Sequence, residues 1–205
     1  MKNYLTILLA LVSFSVSAQI NTLSSGAVAP EINLKNVDGK TIGFNSFPKA
    51  KGFIIVFTCN TCPYAQAYEQ RIIALNAKYA SLGYPVIAVN PNDPSVSAGD
   101  SFEKMQERAK AKKYAFPYIF DPGQKITNLY GATKTPHLFL AKKSAKGLVI
   151  EYTGSIDDDP QETNAKRIYF MEDALKALIA GKQPTVKDTK AIGCTVARPK
   201  TKATK

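Results

Sequence analysis

The chain has 205 residues, of which 45% are hydrophobic, 10% aromatic and 21% charged, and it contains 3 cysteines. These proportions are those of an ordinary globular protein, and they exclude collagen-like, disordered and disulfide-scaffold classes. The formal net charge is +11, but seven of the lysines and arginines lie after Gly181 against a single aspartate. Because no aromatic residues are interleaved with them, this segment is typical of a solvated basic tail rather than of a nucleic-acid-binding surface.

The first residues have the features of a secretory signal peptide. Lys2 supplies a positive charge, residues 5–16 form an apolar run, and Ala18 is a small residue suited to cleavage before Gln19. The run is shorter than the roughly 20 residues that span a bilayer, so we expect no stable membrane insertion. A retained N-terminal anchor is the alternative. We predict a protein that is periplasmic or secreted, in an oxidising compartment where disulfides persist.

The central part of the chain predicts a strand, a helix and a second strand. Residues 52–57 form an apolar run rich in β-branched side chains, as in a strand buried on both faces. Pro63 suits the first turn of a following helix, and residues 85–89 read as the next strand. These elements make a parallel βαβ unit with a right-handed crossover. The helix carries an apolar stripe that consists of Tyr68, Ile72, Leu75, Tyr79 and Leu82.

The rest of the chain predicts further alternation of strands and helices. Asp100 is expected to cap a second helix, with Glu103 at the capping-box position. An α/β fold with a central mixed sheet and helices on both faces is therefore expected. The remaining predicted elements are a strand at 118–120, a short helix at 126–130, a hairpin of strands at 137–141 and 148–153, and a final helix that ends at Gly181.

A pair of cysteines lies where the first predicted strand turns into a helix, in the motif Cys59-Asn60-Thr61-Cys62. The unpaired N–H groups and positive dipole end of a helix favour a nearby thiolate. We therefore expect the pKa of Cys59 to be lowered and Cys59 to be the nucleophile. Cys62, one turn on and expected to be more buried, is placed to resolve the mixed disulfide that Cys59 forms.

Three other interpretations of this pair are weaker. A purely structural disulfide over so short a loop removes little chain entropy, so stability is a poor reason for it. A zinc site needs a second group of ligands, and only Cys194 and His137 remain for it. A Cu(I) site that uses both thiols and His137 is the third alternative, and it would make the protein a non-enzymatic metal carrier. We expect no metal and no cofactor.

The sequence resembles the peroxiredoxin-like branch of the redoxin (AhpC/TSA) superfamily, which has a thioredoxin-like fold. The resemblance covers nearly all of the chain after the predicted signal peptide, from about residue 26 to residue 196. It rests on seven blocks that appear in family order, namely Cys59-Asn60-Thr61-Cys62-Pro63-Tyr64, Asn90-Pro91-Asn92-Asp93, Phe116-Pro117-Tyr118, Tyr130-Gly131-Ala132, Thr135-Pro136, Gly154-Ser155-Ile156-Asp157-Asp158 and Ile192-Gly193-Cys194.

The resemblance implies a site around the cysteine pair. It implies that Pro136 follows a cis peptide bond and lies against the cysteines, with Thr135 offering backbone groups to an extended substrate. His137 is expected to be a neutral strand residue and not a base. Cys194 is either a third redox thiol or a passive residue. Residues 157–159 form an acidic run that lacks the alternating spacing of a metal loop and reads as a turn.

Two chemistries fit the resemblance. In peroxiredoxins the peroxide-reducing cysteine precedes a proline, as Cys62 precedes Pro63, but the residue three positions earlier is usually Thr or Ser and is Cys59 here. The peroxide-binding arginine of that family would fall near Pro136, where this sequence has none. Thioredoxins carry a buried carboxylate on the strand before the cysteines, and residues 52–57 lack one. The two departures from peroxiredoxins favour disulfide exchange over peroxide reduction, and the departure from thioredoxins leaves the redox potential open.

The sequence therefore predicts an exported thiol–disulfide oxidoreductase that exchanges two electrons through Cys59 and Cys62. The expected partners are protein or small-molecule disulfides, or peroxides, together with an electron-donor redox protein, and no nucleic acid. The predicted domains are a signal peptide at 1–18, a thioredoxin-like domain at 19–181 and a basic C-terminal tail at 182–205 that contains Cys194.

Overall fold

The structure is a computed structural model, and it describes residues 21–199. The predicted signal peptide lies outside the described residues. Within them, seven strands form one mixed sheet in the order β2-β1-β5-β4-β3-β7-β8, and β6 pairs with β9. The strands are β1 Asn33–Asn36, β2 Thr41–Gly43, β3 Gly52–Phe57, β4 Val86–Asn90, β5 Tyr118–Phe120, β6 Lys134–Thr135, β7 His137–Ser144, β8 Gly147–Gly154 and β9 Cys194–Thr195.

Strands β3, β4 and β5 are parallel, whereas β7 and β8 form an antiparallel hairpin that adds to the other edge of β3. The sheet is therefore mixed, as predicted. Four α-helices connect these strands in the described part of the chain, and none of them is both long and apolar enough to cross a membrane. They are α1 Pro63–Tyr79, α2 Phe102–Ala111, α3 Lys125–Tyr130 and α4 Phe170–Ile179.

Strand β3 separates two hydrophobic cores, because successive side chains of a strand point to opposite faces of the sheet. Ile54 and Val56 pack into a core with α1, α2 and α4. Phe53, Ile55 and Phe57 pack into the other core, which α3 and the segment before β3 cover. All five side chains are fully buried, and each contributes about 1.5–3 kcal/mol relative to an exposed position. The strand that precedes the cysteines is thus held rigidly.

The predicted elements are confirmed, with differences at their ends. Helix α1 stops at Tyr79, and Leu82 is 44% exposed, so its place in the buried stripe was wrong. The prediction that Asp100 caps α2 was also wrong. Ser101 is the N-cap, since its side-chain oxygen accepts the N–H of Lys104. Asp100 lies in the preceding turn and faces the cysteine loop instead.

The C-terminal segment folds back onto the domain as far as the structure describes it. The N–H of Thr189 donates to the carbonyl of Thr153, and the N–H of Thr153 donates to the carbonyl of Lys187. The side chain of Thr189 contacts Tyr152. Further on, β9 pairs antiparallel with β6. Arg198 then donates to Gln124 and to Asn128. Much of the basic segment is therefore attached to the α/β domain instead of extending into solvent.

Candidate active site

The two cysteines of the motif lie in the loop between β3 and α1, as the sequence predicts. β3 ends at Phe57, Cys62 is the N-cap residue of α1, and Pro63 occupies the first helical position. Cys59 and Cys62 are each 4% exposed, so the expectation that Cys62 is the more buried was wrong. The residue at the N-terminus of the helix, where the unpaired N–H groups and the dipole act most strongly, is Cys62 and not Cys59.

Cys62 forms a disulfide with Cys194, and Cys59 is a free, buried thiol. The Cα atoms of the bonded pair are 5.9 Å apart although the residues are 132 positions apart in the sequence. The three cysteines lie in one cluster with Ala65. The sequence left open whether Cys194 reaches the motif, and the structure places it there.

The Thr135–Pro136 peptide bond is cis, as the resemblance implied, and Thr135 touches both cysteines of the motif. The Sγ of Cys59 lies 3.2 Å from the hydroxyl of Thr135. The Sγ of Cys62 lies 3.1 Å from its carbonyl oxygen. A disulfide sulfur carries no proton, so this second contact becomes a hydrogen bond only when Cys62 is reduced.

The C-terminal segment occupies the backbone edge that the resemblance assigned to a substrate. Thr135 pairs with Cys194 and Lys134 with Thr195 in an antiparallel ladder. The N–H of Val196 then donates to the carbonyl of Thr133 at 3.1 Å. Glycine precedes Cys194, and a Cβ atom at position 193 would collide with the Thr135 carbonyl. The close approach of the two backbones therefore requires a residue without a side chain there.

Burial raises the pKa of the Cys59 thiol above its ordinary value, and the negative charge of Asp100 raises it further. The hydroxyl of Thr135 and the N–H groups of Cys62 and Thr61 act in the opposite direction without outweighing the burial. The expected lowering of this pKa was therefore wrong for the state with Cys62 and Cys194 bonded. Cys59 is a protonated thiol at neutral pH in this state.

A buried carboxylate borders Cys59, although it lies on α1 and not on the preceding strand. Glu69 is 5% exposed and lines a cavity of about 10 Å³ together with Cys59, which is close to the space of one water molecule. Burial acts to raise the pKa of Glu69, but hydrogen bonds from Tyr114 and Lys112 and the charge of Arg108 outweigh it, so that pKa lies below its usual range. Glu69 is therefore an anion that holds these partners rather than a proton acceptor at neutral pH.

Arg108 connects this anion to the cysteine loop. Its Nε lies 2.6 Å from the Oε2 of Glu69, and its Nη1 donates to the carbonyl of Asn60 at 3.2 Å. The amide of Gln66 donates to the same carbonyl at 2.8 Å. Sequence analysis missed this anchor because Glu69 stands beside the apolar stripe of α1 and its partners come from α2 and the loop after it.

His137 is a neutral strand residue, as predicted. Burial lowers its pKa to about 4, and its Nε2 contacts the hydroxyl of Thr153 at 3.2 Å. The acidic run at 157–159 is a turn, in which buried Asp157 pairs with Arg71 at 2.6 Å. Within residues 21–199, no three His, Cys, Asp or Glu side chains are grouped so that they could hold a metal ion.

A strand–Cys-x-x-Cys–helix unit beside a cis-proline, in a mixed sheet with helices on both faces, defines a thioredoxin-like redoxin. Comparison with known proteins agrees with this class. Residues 25–160, which are 136 of the 205, match the AhpC/TSA family. The chain belongs to this family, and the predicted resemblance and fold class are confirmed.

Individual relatives point to redox proteins of two kinds. The chain is 30% identical over 131 residues to chloroplastic peroxiredoxin Q of Gentiana triflora, a match that covers 57% of this chain and 52% of the relative. The chain thus spans about half the length of that relative. It is 26% identical over 149 residues to the thiol-disulfide oxidoreductase ResA of Geobacillus thermodenitrificans, with 69% of this chain and 79% of ResA covered.

Among solved structures, an uncharacterized conserved protein of Geobacillus kaustophilus is similar over 89% of this chain and 96% of its own, with 28% identity and a TM-score of 0.80. This likeness extends over the whole domain, whereas the curated relatives match shorter parts. The prediction of an oxidoreductase agrees with the names of the curated relatives.

Proposed function

We propose that this protein is an exported thiol–disulfide oxidoreductase in which Cys59 attacks, Cys62 resolves and Cys194 is a third redox thiol. The observation that carries the proposal is the cluster of three sulfurs against Thr135, in which one sulfur, Cys62, is bonded to a cysteine outside the motif. A disulfide whose sulfur neighbours a free thiol is arranged for exchange, because thiol–disulfide exchange proceeds by attack of a thiolate on a bonded sulfur.

The first exchange involves the reduced pair and an external disulfide. The Cys59 thiolate attacks one substrate sulfur, the substrate S–S bond breaks, and the second substrate sulfur leaves as a thiolate that takes up a proton. Cys62 then loses its proton and attacks Cys59, which releases the first substrate sulfur as a thiol. Two electrons have passed to the substrate, and the pair holds a Cys59–Cys62 disulfide.

The second exchange involves Cys194 and converts one disulfide of the protein into another, with no net oxidation or reduction. The Cys194 thiolate attacks Cys62, the Cys59–Cys62 bond breaks, and Cys59 takes up the proton that Cys194 has lost. The product has Cys62 bonded to Cys194 and Cys59 as a thiol, which is the arrangement in the structure. In this product, burial raises the pKa of Cys59, so Cys59 is held there as the protonated thiol. A dithiol electron-donor protein restores the reduced form.

The docked C-terminal segment separates these two stages. While β9 pairs with Thr135, an external peptide has no access to that backbone edge. The segment must therefore leave before Cys59 can attack an extended substrate, and it returns when Cys194 takes over the disulfide. Protein disulfides are the substrate class for which this edge is suited, since extended peptides add to exposed strand edges through main-chain hydrogen bonds.

Reduction of insulin disulfides by the prereduced protein tests the proposal. Cys59→Ser and Cys62→Ser are expected to abolish turnover. Cys194→Ser is expected to keep the first turnover and to stop with a Cys59–Cys62 disulfide, which peptide mapping under non-reducing conditions identifies. Thr195→Ser, at the exposed neighbouring position, is the matched control and should behave as the unmodified protein. Full activity of both Cys59→Ser and Cys62→Ser would overturn the proposal.

Peroxide reduction is a second candidate, favoured by the position of Cys62. Cys62 stands at the N-cap of α1 and is bonded to a cysteine distant in sequence. In this chemistry the Cys62 thiolate attacks a peroxide oxygen, the O–O bond breaks, and Cys194 displaces water from the resulting sulfenic acid. Hydrogen peroxide consumption that needs Cys62 and Cys194 but persists in Cys59→Ser would establish this candidate.

Export rests on the sequence features of residues 1–18 alone. We propose cleavage before Gln19, and N-terminal sequencing of the mature protein from the periplasm or the medium tests it. An intact N-terminus on cytoplasmic protein would refute it.

A further inference from the structure

Asp100 is a fully buried carboxylate beside the cysteine motif, in the turn before α2. Within residues 21–199 its carboxylate forms no ion pair. An isolated buried charge is costly unless hydrogen bonds satisfy it. Five donors do so, namely the Asn60 N–H at 2.6 Å, the hydroxyls of Thr61 at 2.7 Å and Ser97 at 2.6 Å, and the amides of Asn92 at 2.9 Å and Asn90 at 3.4 Å.

Two of these donors are the residues between the two cysteines. The carboxylate holds the backbone of Asn60 and the side chain of Thr61 at the same time. Hydrogen bonds to an ionised acceptor are about twice as strong as neutral ones. The conformation of the loop that carries Cys59 and Cys62 therefore depends on a charged side chain that lies 38 positions further along the chain than Cys62.

A third donor links Asp100 to the C-terminal segment. The amide group of Asn92 donates to Asp100 through Nδ2, while its Oδ1 accepts the backbone N–H of Ala197 at 2.9 Å. Ala197 lies three residues after Cys194, in the segment that pairs with the Thr135 edge. One buried side chain, Asn92, therefore connects the carboxylate that positions the motif with the segment that delivers the third cysteine.

We propose that Asp100 is a positioning residue. It holds the Cys59–Cys62 loop directly and the docked C-terminal segment through Asn92, so that Cys62 and Cys194 are aligned with each other. This inference rests on the proposed function and deepens it, because it explains how two segments distant in sequence are aligned for the second exchange. Thr135 contacts the sulfurs of both motif cysteines.

The charge of Asp100 also acts on Cys59. After burial and the opposing Thr135 hydrogen bond, it is the next largest influence on the pKa of this thiol, and it raises that pKa. Asp100→Asn removes the charge and keeps the shape of the side chain. Because a negative neighbour disfavours the thiolate, its removal should lower the pKa of Cys59 and increase the thiolate fraction at neutral pH.

Two readouts that need no substrate test the inference. The oxidised protein has Cys59 as its free thiol, so alkylation by iodoacetamide as a function of pH reports the pKa of Cys59. The ratio of Cys62–Cys194 to Cys59–Cys62 disulfide in a glutathione redox buffer, determined by peptide mapping, reports the alignment of the C-terminal segment. Asp93→Asn is the matched control, since Asp93 makes the same charge change nearby and its carboxylate contacts only Ser95 in the described hydrogen bonds.

We expect Cys59 to be alkylated at least about threefold faster at pH 7 in Asp100→Asn than in the unmodified protein. We also expect this variant to hold less of the Cys62–Cys194 form. Asn92→Ala should reduce the Cys62–Cys194 form while leaving the alkylation profile of Cys59 unchanged. If Asp100→Asn matches Asp93→Asn in both readouts, the inference is wrong. If Asp100→Asn does not fold, an unchanged disulfide ratio in folded Asn92→Ala overturns it. If the unmodified protein does not reduce insulin, the proposed function is wrong. The alkylation of Cys59 and the disulfide ratio can still be interpreted in that case, because neither needs a substrate.

Discussion

The two disulfides that the three cysteines can form close loops of very different length, and they should stabilise the fold to different extents. The Cys62–Cys194 bond joins residues 132 positions apart, whereas a Cys59–Cys62 bond closes only the motif itself. A cross-link stabilises the native state mainly by reducing the entropy of the unfolded chain. The loop-length relation gives about 5 kcal/mol for the long loop and about 2 kcal/mol for the short one at 25 °C.

Two single substitutions isolate these bonds. Cys59→Ser leaves only Cys62 and Cys194 to pair, and Cys194→Ser leaves only Cys59 and Cys62. Each variant, when oxidised, has one disulfide and no free thiol. Urea unfolding of each variant, oxidised and fully reduced by dithiothreitol, gives the free energy that its disulfide adds. The reduced form of the same variant corrects for the cost of its own serine.

We expect oxidation to increase the free energy of unfolding by about 3 kcal/mol more in Cys59→Ser than in Cys194→Ser. Circular dichroism at 222 nm and tyrosine fluorescence should report the same transitions. Equal gains in the two variants, or a larger gain in Cys194→Ser, would refute the docking of the C-terminal segment through Cys194, and with it the assignment of Cys194 as a redox thiol.

Two further predictions concern His137 and Gly193. The pKa of His137 is lowered to about 4 from an ordinary value near 6.5. Between these two pH values the unfolded chain binds a proton at His137 that the folded chain does not. The free energy of unfolding should therefore fall by about 3 kcal/mol as the pH is lowered from 6.5 to 4. His137→Phe, which keeps a ring against Phe139, should remove this part of the pH dependence in urea unfolding at pH 7 and pH 4, and an unchanged pH dependence would contradict the reasoning. Gly193→Ala places a Cβ atom against the Thr135 carbonyl, so non-reducing peptide mapping of the oxidised variant should find Cys59–Cys62 in place of Cys62–Cys194. A normal amount of Cys62–Cys194 in this variant would show that the two backbones do not approach as closely as described.

Local patterns were sufficient for most of the secondary structure. The apolar run of β3 and the stripe Tyr68, Ile72, Leu75 and Tyr79 of α1 have periods that belong to one element each, so neighbouring residues alone reveal them. The short strands β1 and β2 at one side of the sheet were missed because they have only three or four residues and little apolar alternation. They exist because they pair with each other and with β5, which no local pattern records.

Neighbouring cap residues show where local reasoning stops. Asp100 and Ser101 are both good N-caps, and the sequence offers no way to choose between them. Packing decides, because the Asp100 carboxylate meets donors from Asn60 and Thr61, which precede it by about forty positions. Glu69 is a similar case, since its role follows from partners on α2 and the segment after it.

The sequence alone was enough to establish the family, the parallel βαβ unit and the position of Cys59 and Cys62 at the strand–helix junction. The family resemblance rests on short blocks that occur in order along the chain, and the other two features rest on neighbouring residues, so each signal can be read without the fold. The partner of Cys62, the occupant of the Thr135 edge and the raised pKa of Cys59 depend on the folded chain. They arise from contacts between segments more than seventy residues apart and from the removal of water around a buried thiol, and neither is written in the spacing of neighbouring residues.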